Sequence, residues 1–260
     1  MRRCKYKVST HYLEFIWYRS LAQLRSESSR AYLGYLWWVL EPLLHLVVFY
    51  IVFALVLNRG DKDYVQVLLT GLVVWKWIDA SVRSSMDSIS QNAALIDKVY
   101  LPKIVFPSVS VLSNGIKFGL TMALLLLYSY LFGKGISLHW VALPLLIFVQ
   151  SLLVYSAACL VAAVSPFLPD IKIIFDKVMT LAFFMSGIFY TAESIPESIR
   201  GYFLLNPAFS LIECYRDVLI NHQWPSLMPL FYMSVFSAVI FVIAAAILRR
   251  FDRVYPRLIY

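Results

Sequence analysis

Cysteine is almost absent from this 260-residue chain: Cys4, Cys159 and Cys214 lie far apart, with no C-x-x-C and no histidine at ligand spacing. Neither a disulfide nor a metal site is therefore expected. His11, His45, His139 and His222 are scattered and form no H-E-x-x-H, and no G-x-S-x-G is present, so the chain holds no catalytic residues of those kinds. It also lacks G-x-x-x-x-G-K-[ST] and so cannot cradle nucleotide phosphates in the P-loop manner. Charged residues make up only 15%, against about 25% in soluble domains.

What fills the chain instead is apolar: 61% of its residues are hydrophobic. About 20 mostly apolar residues cross a hydrocarbon core. Stretches 36–57, 64–82, 109–132, 140–164 and 227–248 meet that length. A sixth, 171–190, spans if Lys172, Asp176 and Lys177 at its start stay near water. The fold class expected is an all-α, polytopic membrane protein of six helices, forming one domain over 1–260.

The first 32 residues lack the short apolar segment of a secretory signal, so the N-terminus is expected to stay cytoplasmic. With six spans, segments 1–35, 83–108, 165–177 and 249–260 then face the cytoplasm and hold sixteen Lys and Arg, whereas the opposite segments hold five. That bias fits the positive-inside rule, with both termini cytoplasmic. The net charge of +8 is thus an orientation signal, and nucleic acid is not an expected partner. Within residues 10–30, Leu13, Trp17, Leu21 and Leu24 share one helical face, which predicts an interfacial amphipathic helix lying against membrane lipids.

Polar residues inside the spans are the candidates for function, because such positions face a bundle interior or a watery cavity. On the first span Glu41 and His45 stand four apart, close enough to touch, and Trp38, His45, Phe49 and Phe53 share a stripe with Glu41 on its flank. Packing of helix on helix is the alternative role for that stripe. On the second span Lys76, Asp79 and Arg83 form a polar seam, with Asp79 and Arg83 in the favourable order for an intrahelical pair. The seam reads either as a hydrated inner vestibule or as self-neutralising structure.

The cytoplasmic region 88–106 carries Leu95, Ile96, Val99 and Tyr100 as an apolar patch on a short helix ended by Pro102. An exposed patch of this kind marks a partner site, unless it packs on the protein itself. Residues 193–220 are too charged to span and too apolar for a plain loop. Ser194 and Glu197 form a capping-box pattern with Pro196 in the first turn, and Asn206 followed by Pro207 starts a second helix. The segment predicts an outer helical hairpin, with Glu193, Arg200, Glu213 and Arg216 near water, that serves as a gate.

Three stretches together carry a family likeness: SRAYLGYLWWVLEPLL at 29–44, NAALIDKVYLPKIVFPSVSVLSN at 92–114 and LNPAFSLIECYRDVL at 205–219. In order and spacing the chain resembles the membrane subunits of bacterial ABC exporters for O-antigen and capsular polysaccharides, relatives of the teichoic-acid exporters, over about residues 10–250. It departs from them at Pro169-Asp170, where the family often has Arg-Asp, and at Ser186-Gly187, where Ser-Pro is frequent.

The resemblance implies a homodimer in the inner membrane, bound to two copies of a separate ATPase that holds ATP and Mg, with no cofactor of its own. It implies export of a lipid-linked polysaccharide through an aromatic channel, with the channel stripe continued on the fifth span by Phe175, Met179 and Phe189. It also implies ATPase coupling through the region of Leu95 to Tyr100, and an outer gate that includes Pro196, Arg200, Asn206, Pro207, Glu213 and Arg216. LEPLLH leans to the capsule branch and LIDKVYLPKIVFP to the O-antigen branch. Export of teichoic acid or of small natural products by the same fold, and an integral membrane enzyme, are the alternatives.

Overall fold

The structure, a computed structural model, describes residues 10–29, 32–52, 64–98, 101–133, 135–168, 170–252 and 254–255. Phe53, Val99 and Tyr100 lie outside the described residues, as does the side chain of Phe49. The described chain is helical, without strands: α1 (Thr10–Ser29), α2 (Trp37–Phe49), α3 (Tyr64–Met86), α4 (Ala93–Lys98), α5 (Val105–Phe132), α6 (Leu143–Val164), α7 (Ile171–Met185), α8 (Glu197–Leu204), α9 (Pro207–Arg216) and α10 (Leu227–Arg250). Five helical stretches among the described residues are long and apolar enough to cross a membrane: Gly34–Val52, Tyr64–Met86, Val105–Phe132, Leu138–Val164 and Leu227–Arg250.

α3 is the hub, packed on α5, α6 and α9, with α2 and α7 against its flank. Lipid offers no hydrophobic drive to hold helices together, so polar contacts between them matter. Gln66 on α3 donates to the Ser129 hydroxyl (3.0 Å) and to the Leu219 carbonyl (3.1 Å). Gln150 on α6 donates to the Val74 carbonyl (3.1 Å) and accepts from the Tyr215 hydroxyl (2.7 Å). These buried amides tie α3, α5, α6 and the α9 segment into one core.

α1 packs across α5 at a small residue. The Ser20 hydroxyl is buried and lies 3.3 Å from the Val109 carbonyl, and Leu24 is buried beside it. Leu13 and Trp17 stay exposed, so the expected single apolar face divides between core and surface.

α7 covers 15 residues, about 22 Å of helix, and stops five residues short of the expected end at Tyr190. Gly187, at φ +75, turns the chain there. A Cβ at that position would stand 2.5 Å from the Phe209 ring, so only glycine fits. Gly71 on α3 lets the returning chain approach, since its Cβ would lie 3.1 Å from Ile188 Cα.

The segment expected to form an outer hairpin also departs from expectation. The capping box does not form: the Ser194 hydroxyl donates to the Thr191 carbonyl, and α8 starts only at Glu197, after Pro196. Asn206 does cap α9, accepting from the Ala208 amide at 3.0 Å, and Pro207 opens that helix. α8 is exposed, but Phe209, Leu211, Ile212 and Tyr215 of α9 are all fully buried. α9 is therefore part of the core.

Candidate translocation site

Residues of three helices meet in one place. Pro42 and His45 of α2, Lys76, Asp79 and Arg83 of α3, and Met179 and Phe183 of α7 line a cavity of about 230 Å³. α7 reaches it because Met179 is its one buried side chain, while Ile173, Ile174, Val178 and Leu181 face outward. On α2 the outward residues are Leu43, Leu44, Val47 and Val48. The cavity thus lies between two helices whose other faces are uncovered and mostly apolar, with Lys177 exposed among the outward residues of α7.

The charges around it are paired. Glu41 accepts from Lys76, rather than from His45 as the sequence suggested; His45 Nδ1 instead lies 2.8 Å from the Glu41 carbonyl oxygen. Arg83 Nε donates to Asp79 at 2.7 Å, the pair anticipated from spacing, and its Nη1 also meets Asp176 of α7. Lys172 meets Asp87 one turn further along. The seam is thus a row of ion pairs that joins α3 to α2 through Glu41 and to α7 through Asp176, with Lys172 of α7 paired just beyond the end of α3. Its members keep roughly a fifth to a half of their side chains accessible.

The aromatic wall differs in part from the expected stripe. Trp75 and Phe183 have ring centroids 6.0 Å apart, and Phe183 and Phe189 stand 5.3 Å apart, edge to face. Phe175 is half-buried against the core and Trp38 lines a neighbouring cavity. Phe183 was missed, although it follows Phe175 and Met179 at steps of four and its period was readable.

At the other end Arg216 sits 2% exposed, not near water. It donates to the carbonyls of Gly187 (2.7 Å), Ile188 (3.1 Å) and Tyr190 (2.9 Å) and pairs with Glu213 at 2.6 Å. Irregular backbone within a membrane bundle needs such partners. The Arg200 guanidinium donates to the Ile195 carbonyl at 3.1 Å, closing the turn before α8.

The region expected to couple to an ATPase is also packed differently. Ile96 is buried and Leu95 half-buried in a cluster with Ile89, Leu101, Phe106 and Tyr255. That side of the apolar patch belongs to the protein's own core. The exposed side of this region carries Gln91, Ala94 and Lys98.

Residues 15–220, from α1 through α9 and the turn after it, match the family model described as ABC-2 type transporter. The chain belongs to that family. Among its curated relatives, the O-antigen export system permease protein RfbA of Myxococcus xanthus is 29% identical over 227 residues, covering 86% of this chain and 87% of the relative. The protein of the same name from Klebsiella pneumoniae is 30% identical over 190 residues, 73% of each chain. The polysialic acid transport protein KpsM of Escherichia coli is 23% identical over 232 residues, 88% of this chain and 90% of the relative. The match takes in every residue that lines the cavity and leaves α10 outside it.

Proposed function

We propose that this chain is the membrane subunit of an ABC exporter that moves a lipid-linked polysaccharide across the bacterial inner membrane. The relatives named as O-antigen permeases are the more similar ones, which favours an O-antigen over a capsule as cargo. The chain acts as a transporter subunit and not as an enzyme. A separate ATPase subunit, in two copies, binds ATP and Mg and does the hydrolysis. In this reading both termini are cytoplasmic, and α7 with the turn after it counts as the sixth, incomplete span.

The observation that carries the reading is the cavity between α2, α3 and α7, in a chain whose relatives over most of its length are named polysaccharide transporters. Two copies joined through the uncovered faces of α2 and α7 enclose a longer path from it. Sugars present apolar C–H faces and many hydroxyls. A wall of Trp75, Phe183 and Phe189 contacts successive sugars without holding any one strongly, and passage needs binding weak enough to leave. The paired charges at Lys76, Asp79 and Arg83 hydrate the inner entrance without presenting a bare cation that would trap a diphosphate.

The ATPase docks on the exposed Gln91, Ala94 and Lys98 side of the coupling region, while Leu95 and Ile96 transmit its movement into the core. Deleting the chain from its host tests the proposal. Lipid-linked glycan should accumulate on the cytoplasmic face and return to normal on re-expression. Unchanged surface glycan in the deletion strain overturns it.

A further inference from the structure

A second cavity, of about 260 Å³, lies on another side of α2, between α1, α2, α3 and α5. Two ion pairs bracket it, Glu27 with Lys117 and Glu41 with Lys76. Lys117 Nζ also stands 5.6 Å from the centroid of the Trp38 ring and donates to Asn114 at 3.3 Å. Both pairs line a single space, and their members stay accessible: 23% and 38% of the side chain for Lys117 and Glu27, 38% and 48% for Lys76 and Glu41.

From this geometry we infer that the cavity is a binding site for a zwitterionic aminophospholipid, a phosphate diester bearing a primary ammonium. The charge balance decides the class of ligand. Among the described residues that line the cavity, two ammonium groups and two carboxylates sum to zero, so a lipid diphosphate would bring uncompensated negative charge, whereas a headgroup with one anionic and one cationic end leaves the site neutral. The phosphate accepts from Lys117 and Lys76 as charge-assisted hydrogen bonds. The ammonium donates to Glu27 and Glu41 and lies over the Trp38 face, where a cation is attracted by the ring quadrupole. Each resident pair is opened and remade through the ligand with no net change of charge.

The acyl chains have a place as well. Lys117, Leu124 and Leu131 follow one another at seven-residue steps on α5, and Leu120, Leu124, Leu127 and Leu131 are all exposed. This strip starts at the cavity and runs away from α1 toward the far end of α5. From Lys117 to Leu131 is about 21 Å of helix along which acyl chains can lie. Head and tails of one lipid are thus served by one face of one helix. The inference rests on the chain lying in a membrane and not on the identity of its cargo.

The test uses the full-length protein, stripped of lipid in detergent and titrated with single lipids under native mass spectrometry. Phosphatidylethanolamine should bind about tenfold more tightly than phosphatidylglycerol, and about tenfold more tightly than N-acyl phosphatidylethanolamine, which keeps the phosphate and lacks the ammonium. Both comparisons use the unaltered chain. Lys117→Gln should lower phosphatidylethanolamine binding about tenfold, and Lys117→Arg, which can still pair with Glu27, should retain it. Equal binding of the N-acyl lipid, or full binding by Lys117→Gln, overturns the proposal. Displacement of phosphatidylethanolamine by undecaprenyl diphosphate at equal concentration also overturns it and assigns the cavity to the export path. Lipid binding is read without any export assay, so failure here leaves the transport reading standing, and the converse holds too.

Discussion

Arg216 donates to the carbonyl of Gly187 at 2.7 Å from a position 29 residues further along the chain. That contact joins the end of α9 to the point where α7 breaks. With the Ile188 and Tyr190 carbonyls, it makes the guanidinium the partner for a stretch of backbone that no helix satisfies, and a further bond to the Val67 carbonyl ties that stretch to α3.

Removing Arg216 strands those carbonyls and leaves the carboxylate of Glu213 without its partner. Arg216→Ala should destabilise the protein by about 3–5 kcal/mol. Arg216→Lys should fail to restore full stability, because one ammonium cannot reach the same set of carbonyls as a planar fork. Thermal unfolding in detergent checks both, and an unchanged midpoint in Arg216→Ala contradicts the assignment.

Gly187 is held by both its φ and its neighbour. Gly187→Ala should destabilise by at least about 2 kcal/mol, through the left-handed backbone and the overlap with Phe209. Gly119 on α5 is the control, since nothing lies within 4 Å of its Cβ position. Gly119→Ala should be neutral or stabilising by up to about 1 kcal/mol. The two variants are compared by their unfolding midpoints.

The coupling region separates fold from docking. Ile96→Asp places a charge in the cluster with Phe106 and Tyr255 and should reduce the yield of folded protein. Ala94→Asp, on the exposed side, should leave folding intact while lowering co-purification of the ATPase at least about tenfold, as loss of a central interface contact does. Normal ATPase capture by Ala94→Asp would place the docking surface elsewhere.

Much of this architecture could be read from the sequence, because apolar length reports spans and short-range chemistry reports local contacts. Asn206-Pro207 announced the start of α9, and the spacing of Asp79 and Arg83 announced their pair. Arg216 was misplaced for a physical reason. Apart from Glu213, its acceptors are backbone carbonyls 26 to 149 residues away, and backbone carries no sequence signature. Leu95 and Ile96 illustrate a second limit: on a six-residue helix the same apolar side chains serve a core or a partner, and periodicity cannot separate the two. Lys76 drew Glu41 away from His45 because α3 packs beside α2, a tertiary fact that helical spacing does not contain.

The central claim is that cargo passes the cavity shared by α2, α3 and α7, and one chemical block tests it directly. Thr180 lines that cavity, whereas Leu152 on α6 faces outward, away from it. In a chain whose native cysteines are replaced, Thr180→Cys and Leu152→Cys are each treated with a bulky maleimide, and export of lipid-linked glycan is measured in membrane vesicles together with ATP hydrolysis by the partner subunit. The account predicts that modification at position 180 stops export while hydrolysis continues, and that modification at position 152 leaves both unchanged. Undiminished export with position 180 fully modified would contradict it.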